Sequence, residues 1–180
     1  MSYGFDLVRL PAGVDQYQAY NQVLEEKKRV LEQHEGVVDP GPMDPLKEEM
    51  KQRLAAALIA RHPTIDLYKR DYSGIAKARG IDEAEARRLF RTVELNEKEM
   101  SFQILLFDDG AGASFSFVGR SRECAHALRV MWDCLEVLES EGGFSTYDTQ
   151  IDKVLDLKTD FEVVLKHVCG VEIADADRSR

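Results

Sequence analysis

An α+β fold is predicted, with an antiparallel sheet of about four strands and helices packed mainly on one face. Three observations predict it. The apolar patterns run strand, helices, three strands and two helices along the chain. They show none of the regular strand–helix alternation of a doubly wound parallel sheet. Phe115 and Phe117 alternate with Ser114 and Ser116, as a strand with one packed face requires. A chain of 180 residues, 44% hydrophobic and 32% charged, can close one core without metals or a disulfide framework. A single domain over 1–173 is expected, followed by a frayed polar tail over 174–180.

Residues 2–10 mix aromatic and β-branched side chains and end at Pro11 and Gly13, which reads as a first strand. Asp15 suits an N-cap, and Tyr17, Tyr20, Leu24 and Leu31 share a helical face up to a stop at Gly36. Four residues at 40–45, Pro40, Gly41, Pro42 and Pro45, force a loop. Asp44 and Pro45 then open a second helix, whose apolar face is Leu46, Met50, Leu54, Ala57 and Leu58. Ile65 and Leu67 read as extended, and 71–80 as a short helix carrying Ile75 and Ala76. Asp82 and Glu85 resemble a capping box for a further short helix with Ala86, Leu89 and Phe90 on its buried side.

The centre of the chain is β. Thr92–Leu95, Ser101–Phe107 and Ala113–Val118 are rich in β-formers, with a hairpin loop at 108–112. Ser121 suits the cap of the longest later helix, with Ala125, Leu128, Met131, Trp132, Leu135 and Leu138 at three- and four-residue steps before Gly142 and Gly143. Thr159 with Glu162 suggests a last capping box, ahead of Phe161, Val164, Leu165 and Val168 and a stop at Gly170.

A formal charge of −9 opposes nucleic-acid binding, which needs clustered basic residues against phosphates. Lys27, Lys28 and Arg29 are flanked by Glu25, Glu26 and Glu32 and read as a solvated helix face. Three cysteines, Cys124, Cys134 and Cys169, cannot all pair within the chain, so free buried thiols in a reducing compartment are expected. With no signal-like or membrane-spanning apolar run, the expected location is cytoplasmic, and no membrane partner is expected.

Motifs for catalysis are sparse. Gly110 and Gly112 lead into a strand, where a dinucleotide loop needs a helix. His34-Glu35 has no second histidine four residues on, and His62 sits at a helix end. Cys124 and His126 are two positions apart on a helix and point in different directions. Asp148, Asp152, Asp156 and Asp160 recur at steps of four but lack a calcium loop's glycine, so they read as a solvated acidic edge. No cofactor, metal site or catalytic residue is expected.

Two segments carry a resemblance. Met1-Ser2-Tyr3-Gly4-Phe5-Asp6-Leu7 resembles the Met-Ser-Tyr-Asp-Leu start of a group of uncharacterised bacterial proteins. Gly143-Phe144-Ser145-Thr146-Tyr147-Asp148-Thr149-Gln150 resembles their Gly-x-x-x-Tyr-Asp-Pro-Gln segment, with Leu155-Asp156-Leu157 continuing it. Gly4 is an insertion and Thr149 stands where that pattern has proline. Some members of the group resemble the small acidic partners of bacterial toxins, which suggests a genetic setting. The charge of −9 without a catalytic set leads to a non-catalytic acidic binder of a protein partner, such as a basic toxin domain in an immunity-like role. The alternative is a small-ligand-binding protein or enzyme with a pocket between sheet and helices, lined by Tyr3, Tyr147, Asp148 and Gln150. Read structurally, Asp148 fixes a turn by accepting backbone amides and Tyr147 packs under the long helix. A homodimer burying a free sheet edge is a third expectation.

Overall fold

The computed structural model describes residues 3–10, 15–33, 39–97, 102–116 and 122–170. The elements run β1 (Tyr3–Val8), α1 (Gln16–Gln33), α2 (Pro45–Arg61), β2 (Ile65–Leu67), α3 (Tyr72–Arg79), α4 (Glu83–Leu89) and β3 (Val93–Glu97). They continue as β4 (Phe102–Leu106), β5 (Gly110–Phe115), α5 (Arg122–Gly142), β6 (Ser145–Asp148), β7 (Lys153–Val154) and α6 (Phe161–Cys169). The α+β class and the antiparallel sheet are as expected. The strand number is corrected, because the sheet has seven strands in the order β2-β3-β4-β5-β1-β6-β7. The additional ones are β2, where Ile65 and Leu67 are extended as expected, and β6 and β7, four and two residues long, too short for period-2 alternation to distinguish them from turns.

Side-chain alternation assigns the two faces. Tyr3, Phe5 and Leu7 of β1 and Leu95, Ile104, Leu106 and Phe115 of the neighbouring strands point to one side. There they bury Leu54 and Leu58 of α2, Leu128, Met131 and Leu135 of α5, and Val164 and Leu165 of α6. On the opposite side α1 packs over β1, β6 and β7, where Tyr20 meets Val8 and Tyr147. The edge strands β2 and β7 are three and two residues long, so they offer a second copy of the chain few backbone groups to pair with.

Local chemistry explains most ends. Asp15, Asp44, Asp71 and Asp82 each accept a backbone amide at a helix start, and Gly80 and Gly170 end α3 and α6 in the left-handed region, as glycine permits. The cap of α6 is corrected from Thr159 to Asp160, whose carboxylate is turned instead to Lys153 and the Asp156 amide. The caps expected at Gly36 and Ser121, Phe117 in the best strand pattern, and the tail over 174–180 lie outside the described residues.

The β4–β5 hairpin is also tighter than predicted. Phe107 N donates to Gly110 O, so only Asp108 and Asp109 form the loop, and Gly110 begins the strand. A Cβ on Gly110 would stand 2.7 Å from Leu7 O of β1, a close approach that glycine alone allows. In α2, Leu46 is exposed and Lys51 is buried, the reverse of what an apolar stripe suggests. The free-thiol expectation is corrected as well. Cys124 and Cys169 form a disulfide with Cα atoms 5.7 Å apart, and Cys134 remains a free buried thiol. Chain positions gave no indication of this pairing, which depends on α5 and α6 packing side by side. Among the described residues no helix is long and apolar enough to cross a membrane.

Candidate functional site

The fold draws together the four residues proposed as a pocket, but into two separate internal networks. Tyr3 Oη donates to Asp148 Oδ2 at 2.6 Å inside the helix-covered core. Asp148 Oδ1 accepts the amides of Gln150 at 2.9 Å and Ile151 at 3.1 Å, fixing the β6–β7 turn. Gln150 Oε1 accepts the Gly4 amide at 3.3 Å. Tyr147 is the next residue along β6 and therefore points to the other face. It stacks on Tyr20 there rather than packing under α5, and its hydroxyl is bonded to Asp152. Burial, and then the hydrogen bond to Asp148, hold the Tyr3 hydroxyl well above the ordinary tyrosine range. The same sequence of causes, with Asp6 as partner at 2.9 Å, acts on Tyr20.

The predicted acidic edge also separates into individual roles. Asp148 and Asp160 are buried, and Asp152 adopts a left-handed φ of 56°, which aspartate tolerates, while also accepting Tyr17 Oη at 3.1 Å. Asp152 and Asp156 are exposed and pair with no cation among the described residues; Asp156 Oδ1 accepts the Lys158 amide at 3.0 Å. A step of four in sequence is a single face only on a helix, and this segment is a hairpin followed by a turn.

The open concavity nearest these residues lies between the end of α5, the β6–β7 hairpin and the turn before α6. It is about 440 Å³ in volume and is lined by Glu139, Ser145, Lys153, Asp156, Thr159, Asp160 and the apolar residues between them. Trp132 Nε1 donates to Leu157 O at 2.9 Å and anchors its floor. One wall is neutralised, since Lys153 Nζ lies 2.7 Å from Asp160 Oδ1. The other is not. Glu139 and Asp156 on that wall, and the exposed Glu136 one helical turn before Glu139 and outside the lining, make no salt bridge among the described residues. Burial pushes the Glu139 carboxyl above the usual carboxylate range. The Thr146 amide, 2.9 Å away, offsets part of this, and the Asp156 and Glu136 charges add to it.

This lip runs against helix electrostatics. The last turn of α5 contains no basic residue, although the negative end of the macrodipole favours cations. The helix end is stabilised from outside instead. Arg9 donates to Gly142 O at 3.2 Å and Arg53 to Glu141 O at 3.1 Å. Both arginines therefore serve backbone carbonyls and leave Glu136 and Glu139 uncompensated. The sequence carries this signal, as acids at 133, 136, 139 and 141 with no base between 130 and 152.

Other reactive types are inactive where they stand. Burial pushes the Cys134 thiol up to about 12, so it carries no thiolate near neutrality. Burial likewise lowers His62, whose Nε2 is 3.6 Å from Asp133 Oδ2. His34 lies outside the described residues, and Cys124 is committed to its disulfide. Among the described residues no group of three or more His, Cys, Asp and Glu is placed to hold a metal ion. No family model, no curated protein and no solved structure matches this chain.

Proposed function

We propose that this chain is a non-catalytic binding protein whose acidic lip, Glu136, Glu139 and Asp156, receives a basic segment of a protein partner in an immunity-like role. The uncompensated charge of that lip supports this reading. Residues 39–116 hold fourteen acidic and twelve basic side chains, whereas 122–170 hold ten and five. The excess over 122–170 includes the carboxylates at the cleft mouth, where a lysine or arginine side chain would relieve mutual repulsion and steer association.

The test compares the chain with Glu136→Gln, Glu139→Gln and Asp156→Asn combined. At low salt the immobilised wild type should retain a basic protein from host lysate that the triple variant does not retain, and retention should weaken as salt rises. Equal retention by both would refute the reading. The volume of the cleft falls within the range of small-ligand sites and supports a second reading, a small cationic ligand held between Glu139 and Asp156. Protection of both chains by spermidine against thermal unfolding, but of the wild type more strongly, would favour it.

A further inference from the structure

We infer that the Cys124–Cys169 bond is an oxidation-dependent staple on the unit that carries the cleft, so that the integrity of this unit is set by thiol–disulfide chemistry. The cleft lining begins at Glu139 and ends at Asp160, entirely inside the loop of 45 residues that the bond closes. Cys124 sits at the start of α5 and Cys169 is the last residue of α6. The bond therefore joins the outer ends of the two helices that flank the hairpin. The noncovalent hold of α6 is small by comparison. It is a nine-residue helix whose buried apolar side chains are Val164, Leu165 and Val168, besides Cys169 itself, and so short a helix has little stability of its own.

Formation needs an oxidant, and a small disulfide such as oxidised glutathione, or the disulfide of a thiol oxidoreductase, supplies it. One cysteine thiolate attacks the oxidant's sulfur and releases one thiol. The second cysteine thiolate then attacks the mixed disulfide and releases the other. The protein pair loses two electrons and two protons, and the oxidant is reduced to two thiols. Cys124 and Cys169 are 1% and 0% exposed, so exchange in either direction requires α6 to lift away first. The bond thus resists reductant while the unit is closed. Cys134, buried in the middle of α5, takes no part. The cytoplasmic expectation rested on three free thiols as well as on the lack of a signal-like or membrane-spanning run, and of the thiols one remains free. This inference does not depend on what the acidic lip binds.

The test uses the full chain refolded in a glutathione redox buffer. Alkylation after denaturation without reductant should label one cysteine, Cys134, and label three after reduction, as read by mass spectrometry. The oxidised chain should melt on the order of 10 °C above both the reduced chain and Cys124→Ser/Cys169→Ser, and reductant should not change the melting of the double variant. Three labelled cysteines in the oxidised preparation, a bond to Cys134, or equal melting of oxidised and reduced wild type would each overturn the inference. The label count holds even if the double variant fails to fold.

Discussion

Asp108 and Glu139 are both partly buried carboxylates, yet their surroundings act on them in opposite directions. Burial works to raise the Asp108 carboxyl, but hydrogen bonds from Arg91 and Lys51, and then their charges, outweigh it and hold it below the ordinary range. Lys51 is fully buried, 2.9 Å from both Asp108 Oδ1 and Arg91 O. Arg91 also donates to Pro40 O at 2.7 Å and Gly41 O at 2.8 Å, tying the proline-rich loop to the sheet. Glu139 has burial and two acidic neighbours, and the side chain and amide of Thr146, which carry no full charge, act against them. The comparison teaches that this sequence pairs buried charge where charge holds elements together, and leaves it unpaired at one open cleft.

The largest effect should come from breaking the paired region. Asp108→Ala takes from Lys51 and Arg91 their common carboxylate and leaves Lys51 with Glu48, 2.6 Å from its Nζ, so a cost of about 3 kcal/mol, the lower end for a broken buried pair, is expected in urea unfolding. A loss below about 1 kcal/mol would make the network incidental. Asp148→Ala comes next, since it removes the acceptor of Tyr3 Oη and of two turn amides. A cost of about 2–3 kcal/mol is expected, with Tyr3→Phe costing about 1 kcal/mol. Glu139→Gln should have the smallest effect and the opposite sign, a gain of about 0.2–0.5 kcal/mol at neutral pH from relief of repulsion with Glu136.

The pH dependence sharpens the same contrast. The folded Asp108 carboxyl lies below its unfolded value of 3.8, so its contribution is present above that pH and is lost as pH falls through the folded value. The folded Glu139 carboxyl lies above its unfolded value of 4.5. Its contribution is therefore complete below 4.5 and is lost as pH rises through the folded value. The gain from Glu139→Gln should accordingly disappear on acidification, while the cost of Asp108→Ala should shrink in strong acid. Stability curves of the two variants that moved in parallel with pH would contradict this assignment.

Much of the fold was legible because it follows local rules. The aspartate caps at 15, 44 and 82, the glycine stop at Gly170 and the alternation in β5 are short-range chemistry written in adjacent residues. The strand β6 was not legible, because it pairs with β1, more than 130 residues away in sequence, and β7, which pairs with β6, is only two residues long. Lys51 was missed since a charged side chain is placed in a core only when Asp108 and Arg91 O, from distant elements, are there to receive it. The candidate residues Tyr3 and Asp148 do lie together, joined by a hydrogen bond. Tyr147 could not belong with them, because adjacent strand residues face opposite sides. Glu136 and Glu139 stand in the sequence as a breach of the macrodipole rule, though the place of Glu139 at a cleft does not.

The central claim is that the acids around the cleft, rather than the overall charge of −9, recognise a basic partner. The most direct measurement is a titration of the isotope-labelled chain with a short arginine-rich peptide, followed through backbone amide shifts. The account predicts salt-sensitive shifts concentrated over 133–160 that vanish in the Glu136→Gln/Glu139→Gln/Asp156→Asn variant. Shifts spread over α1 and the remaining surface, or undiminished in that variant, would contradict it.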